Sequence, residues 1–259
     1  MELNFNYIAI TNKVEDALVL DRCGIQQIMV DTEIIGKEAR QLGLNTVINS
    51  HGVEDIYKIK DAGVKSKIIC RINGYHQNIS DEINDAINAG ADTLMFPMIQ
   101  SVENLKVMVD CVNKRVPVLP LIETPYSVFK LREIIDISTP AQIHFGLNDL
   151  YISLGMRNLF EVLVSPIFSE AVKYVKGKVD LIGIGGIGDP LIEQRIKPFL
   201  LLNEYKLLGS RSVILSRSFF SQGYSENRIL KSIDAIEKIV KEECDSSLHN
   251  KLISEVEKF

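Results

Sequence analysis

The sequence predicts an α/β fold, a (β/α)₈ barrel with an extra C-terminal helix, and three observations favour it. Short β-rich apolar runs alternate with segments of helical periodicity along the 259 residues. Eight strand–helix pairs fit this length, which is the pattern of a closed parallel barrel. Polar residues also follow several strands at a constant interval. An open, doubly wound sheet is the alternative, because alternation alone does not establish closure.

The strands are predicted from short runs rich in β-branched and aromatic residues. In chain order they are "NYIAIT", "QIMVDT", "KIICRI", "DTLMFPM", "VLPLIE", "IHFGLN", "DLIGIGG" and "SVILSR". One further run, "TVIN" within "NTVINSHGVEDIYKIKDAG", precedes a helix and makes a ninth candidate. We expect it to be a short element outside the barrel.

Helices between the strands are indicated by apolar residues that recur at a 3.6-residue period. The helix from Ser101 to Val112 has apolar residues at 102, 105, 108, 109 and 112. Another helix follows Ser165-Pro166 and has one apolar face, formed by Phe168, Ala171, Val172 and Val175. A third, from about Ser225 to Cys244, follows the eighth strand and completes the barrel. The predicted catalytic barrel domain is therefore residues 1–244.

Residues 245–259 predict a C-terminal helix beyond the barrel. Asp245 or Ser246 can cap it, and one of its faces is apolar. That face is formed by Leu248, Leu252, Ile253 and Val256. Because a barrel already has its ring of helices, we expect this face to pack against a neighbouring subunit of a homo-oligomer. The alternative is that the helix folds back over the bottom of its own barrel.

The composition of the chain argues against some classes of binding partner. With 34 acidic and 29 basic residues, the net charge of −5 argues against nucleic acid as a partner. No apolar run approaches the ~18 residues that cross a bilayer, and "MELNFNYIAI" does not resemble a signal peptide. The four cysteines show neither zinc spacing nor a C-x-x-C pair, so they predict reduced thiols in a cytoplasmic protein. They are Cys23, Cys70, Cys111 and Cys244.

Four residues at or just past strand ends are separated by 26 positions each time, counted as 97−71, 123−97 and 149−123. They are Arg71, Pro97, Glu123 and Asp149. One strand, loop, helix and loop per repeat would place all four at the carboxyl-terminal rim of the barrel. In barrel enzymes this rim carries the active site.

Glu123 and Asp149 form the candidate metal site. Two carboxylates that converge in a half-buried pocket repel each other unless a cation or a proton lies between them. Oxygen ligands with room for water favour Mg²⁺ or Mn²⁺. Alternatively, strand-end carboxylates cap the next helix; Thr124 takes that role beside Glu123, whereas no better cap is visible near Asp149. Arg71 could hold a carboxylate or an enolate oxygen.

These residues lie in segments that resemble the metal-dependent 2-oxo-acid aldolase and citrate lyase β-subunit superfamily. The paired segments are "LPLIETPYSV" and "IHFGLNDLYISLG", and "VDTE", "ICRING" and "DTLMFPMIQSVENL" extend the resemblance in order. It covers roughly residues 25–155, more than half of the chain. The ordered set is far more specific than any single segment.

The resemblance implies a (β/α)₈ barrel in which Glu123 and Asp149 ligate Mg²⁺ or Mn²⁺. It also implies that Arg71 binds the oxygens of a 2-oxo acid. Backbone amides near Gly146, Leu147 and Asn148 would hold the carboxylate of that substrate. The implied activity is that of a carbon–carbon lyase, a class II aldolase, which forms or cleaves a pyruvate-like 2-oxo acid through a metal-stabilised enolate.

The chain departs from the aldolase branch at the general base. There, histidine usually follows the acidic residue after the second strand, and here Ile34 follows Glu33. Candidate bases are Glu33, His51, His76 and a metal-bound water, and Glu33 could instead support the metal or Arg71. Leu121 also resembles the lyase branch, whereas "FPM" and "GLNDLYISLG" resemble the aldolases.

Two later segments are candidates for phosphate binding. Strand seven ends in "LIGIGGIGDP" and strand eight in "VILSRSFF". In this fold, loops after strands seven and eight frequently bind phosphate through backbone N–H groups and a basic residue. The candidate residues are Gly185, Gly186, Ser216 and Arg217. A glycine-rich tight turn with a surface arginine is the alternative interpretation.

Three functions therefore stay open at the level of sequence. The first is the metal-dependent lyase or aldolase acting on a small 2-oxo acid. The second is a citrate-lyase-like cleavage of an acyl-CoA thioester, which needs a nucleotide-binding surface that we do not find in the sequence. The third is a barrel without catalytic activity that binds a ligand, which the missing histidine supports.

Overall fold

Eight parallel strands close into a barrel in chain order, and the last strand pairs with the first. The structure is a computed structural model that describes residues 3–35 and 52–259. The strands are β1 (Asn6–Ile10), β2 (Gln27–Asp31), β3 (Lys67–Arg71), β4 (Thr93–Phe96), β5 (Val118–Ile122), β6 (Gln142–Phe145), β7 (Leu181–Ile187) and β8 (Ser212–Leu215). All eight predicted strands are present, and the predicted barrel is confirmed.

Helices follow the strands and surround the barrel. Within the described ranges they are α1 (Val14–Arg22), α2 (Val53–Asp61), α3 (Ile79–Asn88), α4 (Val102–Val112), α5 (Pro125–Phe129), α6 (Leu131–Ser138), α7 (Leu147–Ser153), α8 (Leu159–Leu163), α9 (Pro166–Val175), α10 (Pro198–Leu207), α11 (Glu226–Lys241) and α12 (Ser247–Val256). None of them is both long and apolar enough to cross a membrane. The "TVIN" run and His51 lie outside the described residues.

Side-chain caps fix where the predicted helices begin. The Ser101 hydroxyl accepts a hydrogen bond from the N–H of Asn104 at the start of α4. The Ser165 hydroxyl accepts one from the N–H of Phe168 at the start of α9, where Pro166 occupies the first helical position. Because these N–H groups have no partner inside the helix, each cap satisfies a donor that would otherwise need water.

Two layers of side chains fill the barrel interior below its carboxyl end. At the amino end, the Asn6 amide donates to Gln27 Oε1 at 2.7 Å and to Ser212 Oγ at 2.9 Å, and Gln27 donates to Gln142 Oε1 at 3.0 Å. Above this polar layer lies an apolar one, formed by Ile8, Met29, Ile69, Met95, Leu119 and Leu121. Because the interior is packed, the room for a ligand is at the carboxyl end.

The C-terminal helix α12 packs against α10 of its own chain. Leu252 and Val256 of the predicted apolar face are buried there, at 0% and 2% exposure. Polar contacts join the same elements, since Asn203 exchanges hydrogen bonds with the backbone of Asp245 at 2.9 Å each. The extra helix is confirmed, and much of its apolar face is covered within the chain. A homo-oligomer stays a prediction.

Candidate active site

Glu123 follows the last residue of β5 and is 3% exposed at the carboxyl end of the barrel. Its Oε1 accepts a hydrogen bond from the N–H of Met98 at 2.9 Å. The cap of the next helix is Thr124, whose hydroxyl accepts from the N–H of Ser127 at 3.0 Å. Glu123 is therefore a buried carboxylate that does not cap the helix that follows it.

Gly146 allows the next strand to approach Glu123. A Cβ at this position would lie 2.8 Å from the Cβ of Glu123 and 3.1 Å from its Oε2, so a side chain would displace the carboxylate. The Gly146 N–H donates to the carbonyl of Ile122 at 2.9 Å. Gly146 thus contributes close approach, and its own amide is engaged by the barrel.

Asp149 lies in the first turn of α7 and is half-buried beside Glu123. Burial raises the pKa of Glu123 to about 8, and the negative charge of Asp149 is the next largest cause. The positive charge of Arg71 opposes this increase in the pKa. The two predicted metal ligands are therefore close enough to repel each other, and a cation between them would relieve that repulsion.

Arg71 ends β3 and pairs with Asp31 at the end of β2. Its Nε and Nη2 donate to the two oxygens of Asp31 at 2.9 and 2.7 Å, and Glu33 Oε2 lies 3.6 Å from Nε. Burial alone would lower the pKa of Arg71, but these carboxylates outweigh it and raise the pKa above its usual value. Asp31 accepts hydrogen bonds from one edge of the guanidinium. The remaining N–H donors of Arg71 are therefore those that can bind a ligand.

His144 is a site residue that the sequence did not suggest. It lies on β6, is fully buried, and its Nε2 is 3.0 Å from the carbonyl oxygen of Gly185. Its Nδ1 has no hydrogen-bond partner within the described part of the chain. Burial lowers the pKa of His144 to about 4, so the ring is neutral near pH 7. Side chains alternate between the two faces of a strand, and His144 lies two residues before Gly146, on the inward face of β6. This position is the sequence signal that could have indicated His144 as a site residue.

Glycines of β7 make room for the side chains of the site. A Cβ on Gly183 would lie 2.2 Å from Nδ1 of His144, and one on Gly185 would lie 2.8 Å from Cδ1 of Leu147. Gly185 also has a φ of +51°, a conformation that glycine adopts without strain. The Tyr205 hydroxyl donates to the carbonyl of Gly186 at 3.1 Å and holds this irregular strand end in place.

One cavity of about 420 Å³ unites most of the predicted site. Its lining includes nine predicted residues, namely Arg71, Glu123, Gly146, Leu147, Asn148, Asp149, Gly185, Gly186 and Ser216. It also includes residues that the sequence did not indicate, among them His144, Gln194, Arg195 and Ser218. Three of the four residues at the 26-position interval, Arg71, Glu123 and Asp149, line this cavity, whereas Pro97 lines a separate pocket.

The remaining candidates lie elsewhere. Glu33 is buried beside Arg71 but does not line the cavity, and Arg217 is exposed outside the lining. His76 also lies outside the lining, where its Nε2 is 2.7 Å from Glu82 Oε2. His51 lies outside the described residues, so its role as a base stays a prediction.

The donor set suits a divalent cation that keeps open positions. Residues 3–35 and 52–259 contain no group of three or more His, Cys, Asp or Glu side chains suited to a metal ion. Two carboxylates with room for substrate and water are, however, what Mg²⁺ commonly uses in proteins. The raised pKa of Glu123 fits this arrangement, because burial and then the charge of Asp149 favour its protonated form, and a bound cation would oppose both.

Comparisons with known proteins support the barrel fold, and one of them matches the part of the chain that contains the candidate site. The family model for HpcH/HpaI aldolase/citrate lyase matches residues 50–163, a segment that includes Arg71, Glu123 and Asp149. The comparison with curated proteins gave no match. The family match confirms the resemblance to the aldolase and citrate lyase superfamily that the motifs indicate.

Solved structures of the same architecture cover most of the chain. An HpcH/HpaI aldolase/citrate lyase family protein from Burkholderia cenocepacia J2315 is 17% identical with a TM-score of 0.61, over 85% of this chain and 91% of that one. An HpcH/HpaI aldolase from Desulfitobacterium hafniense DCB-2 is 15% identical with a TM-score of 0.58, over 82% and 86%. Citrate synthase SbnG is 15% identical with a TM-score of 0.57, over 92% and 94%. At these identities the likeness shows the fold.

Proposed function

We propose that the protein is a divalent-metal-dependent carbon–carbon lyase or aldolase that forms or cleaves a pyruvate-like 2-oxo acid. The observation that carries this proposal is the meeting of Glu123, Asp149 and Arg71 in one cavity at the carboxyl end of the barrel. Two carboxylates can hold a cation, and the arginine adds a second positive group beside it. The match to the aldolase and citrate lyase family supports the same class of reaction.

Glu123 and Asp149 would hold Mg²⁺ or Mn²⁺. When bound, the cation supplies positive charge that stabilises the enolate form of the substrate. Glu123 is fixed by the Met98 N–H at 2.9 Å, so one of its oxygens already has a donor and the orientation of the carboxylate is set. Because Glu123 is buried, its charge acts with little screening by water.

Arg71 would bind the oxo-acid oxygens with the donors that Asp31 leaves available. The Asp31 carboxylate occupies Nε and one hydrogen of Nη2, so Nη1 and the second hydrogen of Nη2 remain. The double contact fixes the plane of the guanidinium before a substrate arrives. Asp31 is therefore a positioning residue that reduces the conformational freedom Arg71 would lose on binding.

The substrate carboxylate would meet backbone amides at the start of α7. Gly146 donates its N–H to Ile122, so the amides of Leu147 and Asn148 are the better candidates. The first N–H groups of a helix have no partner within it and favour negative charge. The base stays a prediction among Glu33, His51, His76 and a metal-bound water. His76 pairs with Glu82, and neither His76 nor Glu33 lines the cavity.

Metal binding by carboxylate variants tests this proposal. We expect Glu123→Gln and Asp149→Asn to lower Mn²⁺ affinity at least about a hundredfold by isothermal titration, since each removes a charged ligand. Glu170→Gln, an exposed carboxylate on α9, is the matched control and should bind Mn²⁺ normally. Unchanged Mn²⁺ affinity in both site variants would refute the assignment.

Activity distinguishes the proposed reaction from its alternatives. We expect the Mn²⁺-loaded protein to release pyruvate from members of a panel of 4-hydroxy-2-oxo acids, and the activity to disappear with a chelator. Activity on an acyl-CoA thioester alone would indicate the citrate-lyase-like reaction. Metal binding without turnover of either class would indicate a ligand-binding barrel.

A further inference from the structure

Beside Arg71, the chain continues past the end of β2 into the segment that carries Glu33. The Arg71 carbonyl oxygen accepts hydrogen bonds from the Thr32 N–H at 2.9 Å and from the Thr32 hydroxyl at 3.0 Å. These contacts extend the pairing of β2 with β3 by one residue. The backbone N–H groups that follow need other acceptors, because a backbone donor without one is costly.

The side chain of Asn73 supplies an acceptor for two of these groups. Its Oδ1 accepts hydrogen bonds from the N–H groups of Ile34 and Ile35, both at 2.8 Å. The side chains of Ile34 and Ile35 are each 54% exposed, so their burial stabilises this segment little. Asn73, rather than apolar packing, therefore holds the backbone that follows Glu33.

Glu82 of α3 in turn fixes Asn73. The Oε1 of Glu82 accepts hydrogen bonds from the backbone N–H and from the side-chain amide of Asn73, both at 2.9 Å. The other oxygen of Glu82 lies 2.7 Å from Nε2 of His76. Because Nδ1 of His76 accepts the Asn78 N–H at 3.3 Å, the hydrogen on Nε2 donates to Glu82.

These contacts require an amide at position 73. Oδ1 faces two N–H donors and Nδ2 faces a carboxylate, so the reversed amide would oppose donors to donors and an oxygen to an oxygen. Aspartate would keep the acceptor for Ile34 and Ile35. It would also place a second carboxylate against Glu82, where Nδ2 now lies at 2.9 Å, and two such charges repel each other.

The backbone of Glu33 is thus held on both sides. Before it, Asp31 Oδ1 accepts the Glu33 N–H at 3.3 Å, and the same carboxylate binds Arg71. After it, Asn73 holds the next two N–H groups. The Glu33 side chain is 3% exposed, with Oε2 at 3.6 Å from Nε of Arg71. Because Arg71 lines the cavity, a displacement of Glu33 would change the charge beside a group of the site.

We propose that Asn73 is a positioning residue for the reaction. Through the N–H groups of Ile34 and Ile35 it sets Glu33 beside Arg71, and Glu82 sets Asn73. This inference rests on the proposed function, because it gives Asn73 a part in the reaction at Arg71. It also gives His76 a part, as the residue that orients Glu82.

A double-mutant cycle tests whether Asn73 acts through Glu33. The Mn²⁺-loaded full-length protein is assayed for pyruvate release from 4-hydroxy-2-oxo acids. We expect Asn73→Ala to lower kcat/KM about tenfold to a hundredfold, because the segment that carries Glu33 shifts. In a Glu33→Gln background the same change should alter kcat/KM by less than about twofold. Asn250→Ala, an exposed asparagine of α12, is the control and should change nothing. Equal losses in both backgrounds would overturn the proposal.

The pH profile of Asn73→Asp tests the contact with Glu82. When the pH falls from about 8 to about 5, the two carboxyl groups can share a proton, and the lost donor is restored. We therefore expect kcat/KM of Asn73→Asp, taken as a fraction of the wild-type value at each pH, to rise as the pH falls. The same fraction for Asn73→Ala should stay constant, since alanine provides no carboxyl group. A constant fraction for Asn73→Asp would overturn the part of Glu82.

Hydrogen exchange separates this inference from the proposed function, because it needs no substrate. Measured by NMR, the N–H groups of Ile34 and Ile35 should exchange at least about tenfold faster in Asn73→Ala than in the wild-type protein or in Asn250→Ala. If no substrate is cleaved but this exchange depends on Asn73, the proposed function fails and the positioning of the segment by Asn73 stands. If a substrate is cleaved and neither exchange nor kcat/KM depends on Asn73, the inference fails and the reaction stands.

Discussion

Glu123 is the buried carboxylate that lines this cavity. Burial first, and then the charge of Asp149, raises its pKa to about 8, well above the value near 4.3 of an exposed glutamate. Without a cation the protonated form is therefore favoured at neutral pH. Because the folded-state pKa exceeds that of the unfolded chain, this group contributes most stability at low pH, and the contribution is lost as the pH rises toward 8.

Cation binding should therefore displace a proton from Glu123. At pH 7 we expect close to one proton to be released per Mn²⁺ bound, and at pH 9 almost none, because the carboxyl group is then already ionised. Titration calorimetry in two buffers of different ionisation enthalpy measures this number directly. Equal heats in both buffers at pH 7 would show that Glu123 is ionised before the metal binds.

His144 and Asp31 show which site residues the sequence could not assign. Strand-end spacing identified Arg71, Glu123 and Asp149, because each repeat of the barrel brings the chain back to the same rim. It could not show that Asp31 occupies one edge of Arg71, since a pairing between strands depends on register. Alternation along β6 could place His144 on the inward side, but it could not show the 3.0 Å contact of Nε2 with the Gly185 carbonyl oxygen, which depends on how β6 and β7 pair.

At the level of elements, the contact between the β7–α10 loop and α11 positions a loop whose residues Gln194 and Arg195 line the cavity. Asp189 is 0% exposed and joins Arg228 and Ser232 of α11. The carbonyl oxygen of Asp189 also accepts a hydrogen bond from the side chain of Gln194, the residue before Arg195. The loop therefore depends on a buried ion pair for its position.

Asp189→Ala should destabilise the protein by about 3–5 kcal/mol, because it leaves Arg228 without its charge partner. Urea denaturation followed by circular dichroism measures the change in the free energy of unfolding. Glu170→Ala breaks the exposed pair with Lys173 and should change that free energy little. A similarly small effect of Asp189→Ala would show that the loop is held by other contacts.

The whole molecule is a barrel whose last helix returns along its own α10. Leu252 and Val256 are buried in that contact, and His249 Nδ1 lies 2.9 Å from Oε2 of the buried Glu204. The helix thereby brings Phe259 to Phe160 and Arg195 at the cavity. The predicted apolar face was identified correctly, and its main contact in the structure is intramolecular.

Removal of residues 245–259 should lower the free energy of unfolding by about 3–6 kcal/mol, since two buried aliphatic side chains and the surface of α10 that they cover are exposed. Chemical denaturation measures this loss.

Light scattering on the full-length and truncated proteins tests the predicted homo-oligomer, and we expect the full-length protein to be oligomeric. An oligomer that survives truncation would place the subunit interface outside α12.

The sequence alone determined the eight strands and the rim that carries Arg71, Glu123 and Asp149, whereas the structure decided that the strands close into a barrel. Local periodicity and the 26-residue interval contain that information, because each strand is buried on both faces and each repeat returns the chain to one end. Only the tertiary structure decided the partners of those residues: Asp31 on Arg71, Gly146 against Glu123, and the stack of Arg195 on Phe259. These contacts join residues that are distant in the chain, and their geometry depends on closure of the barrel and on where α12 packs.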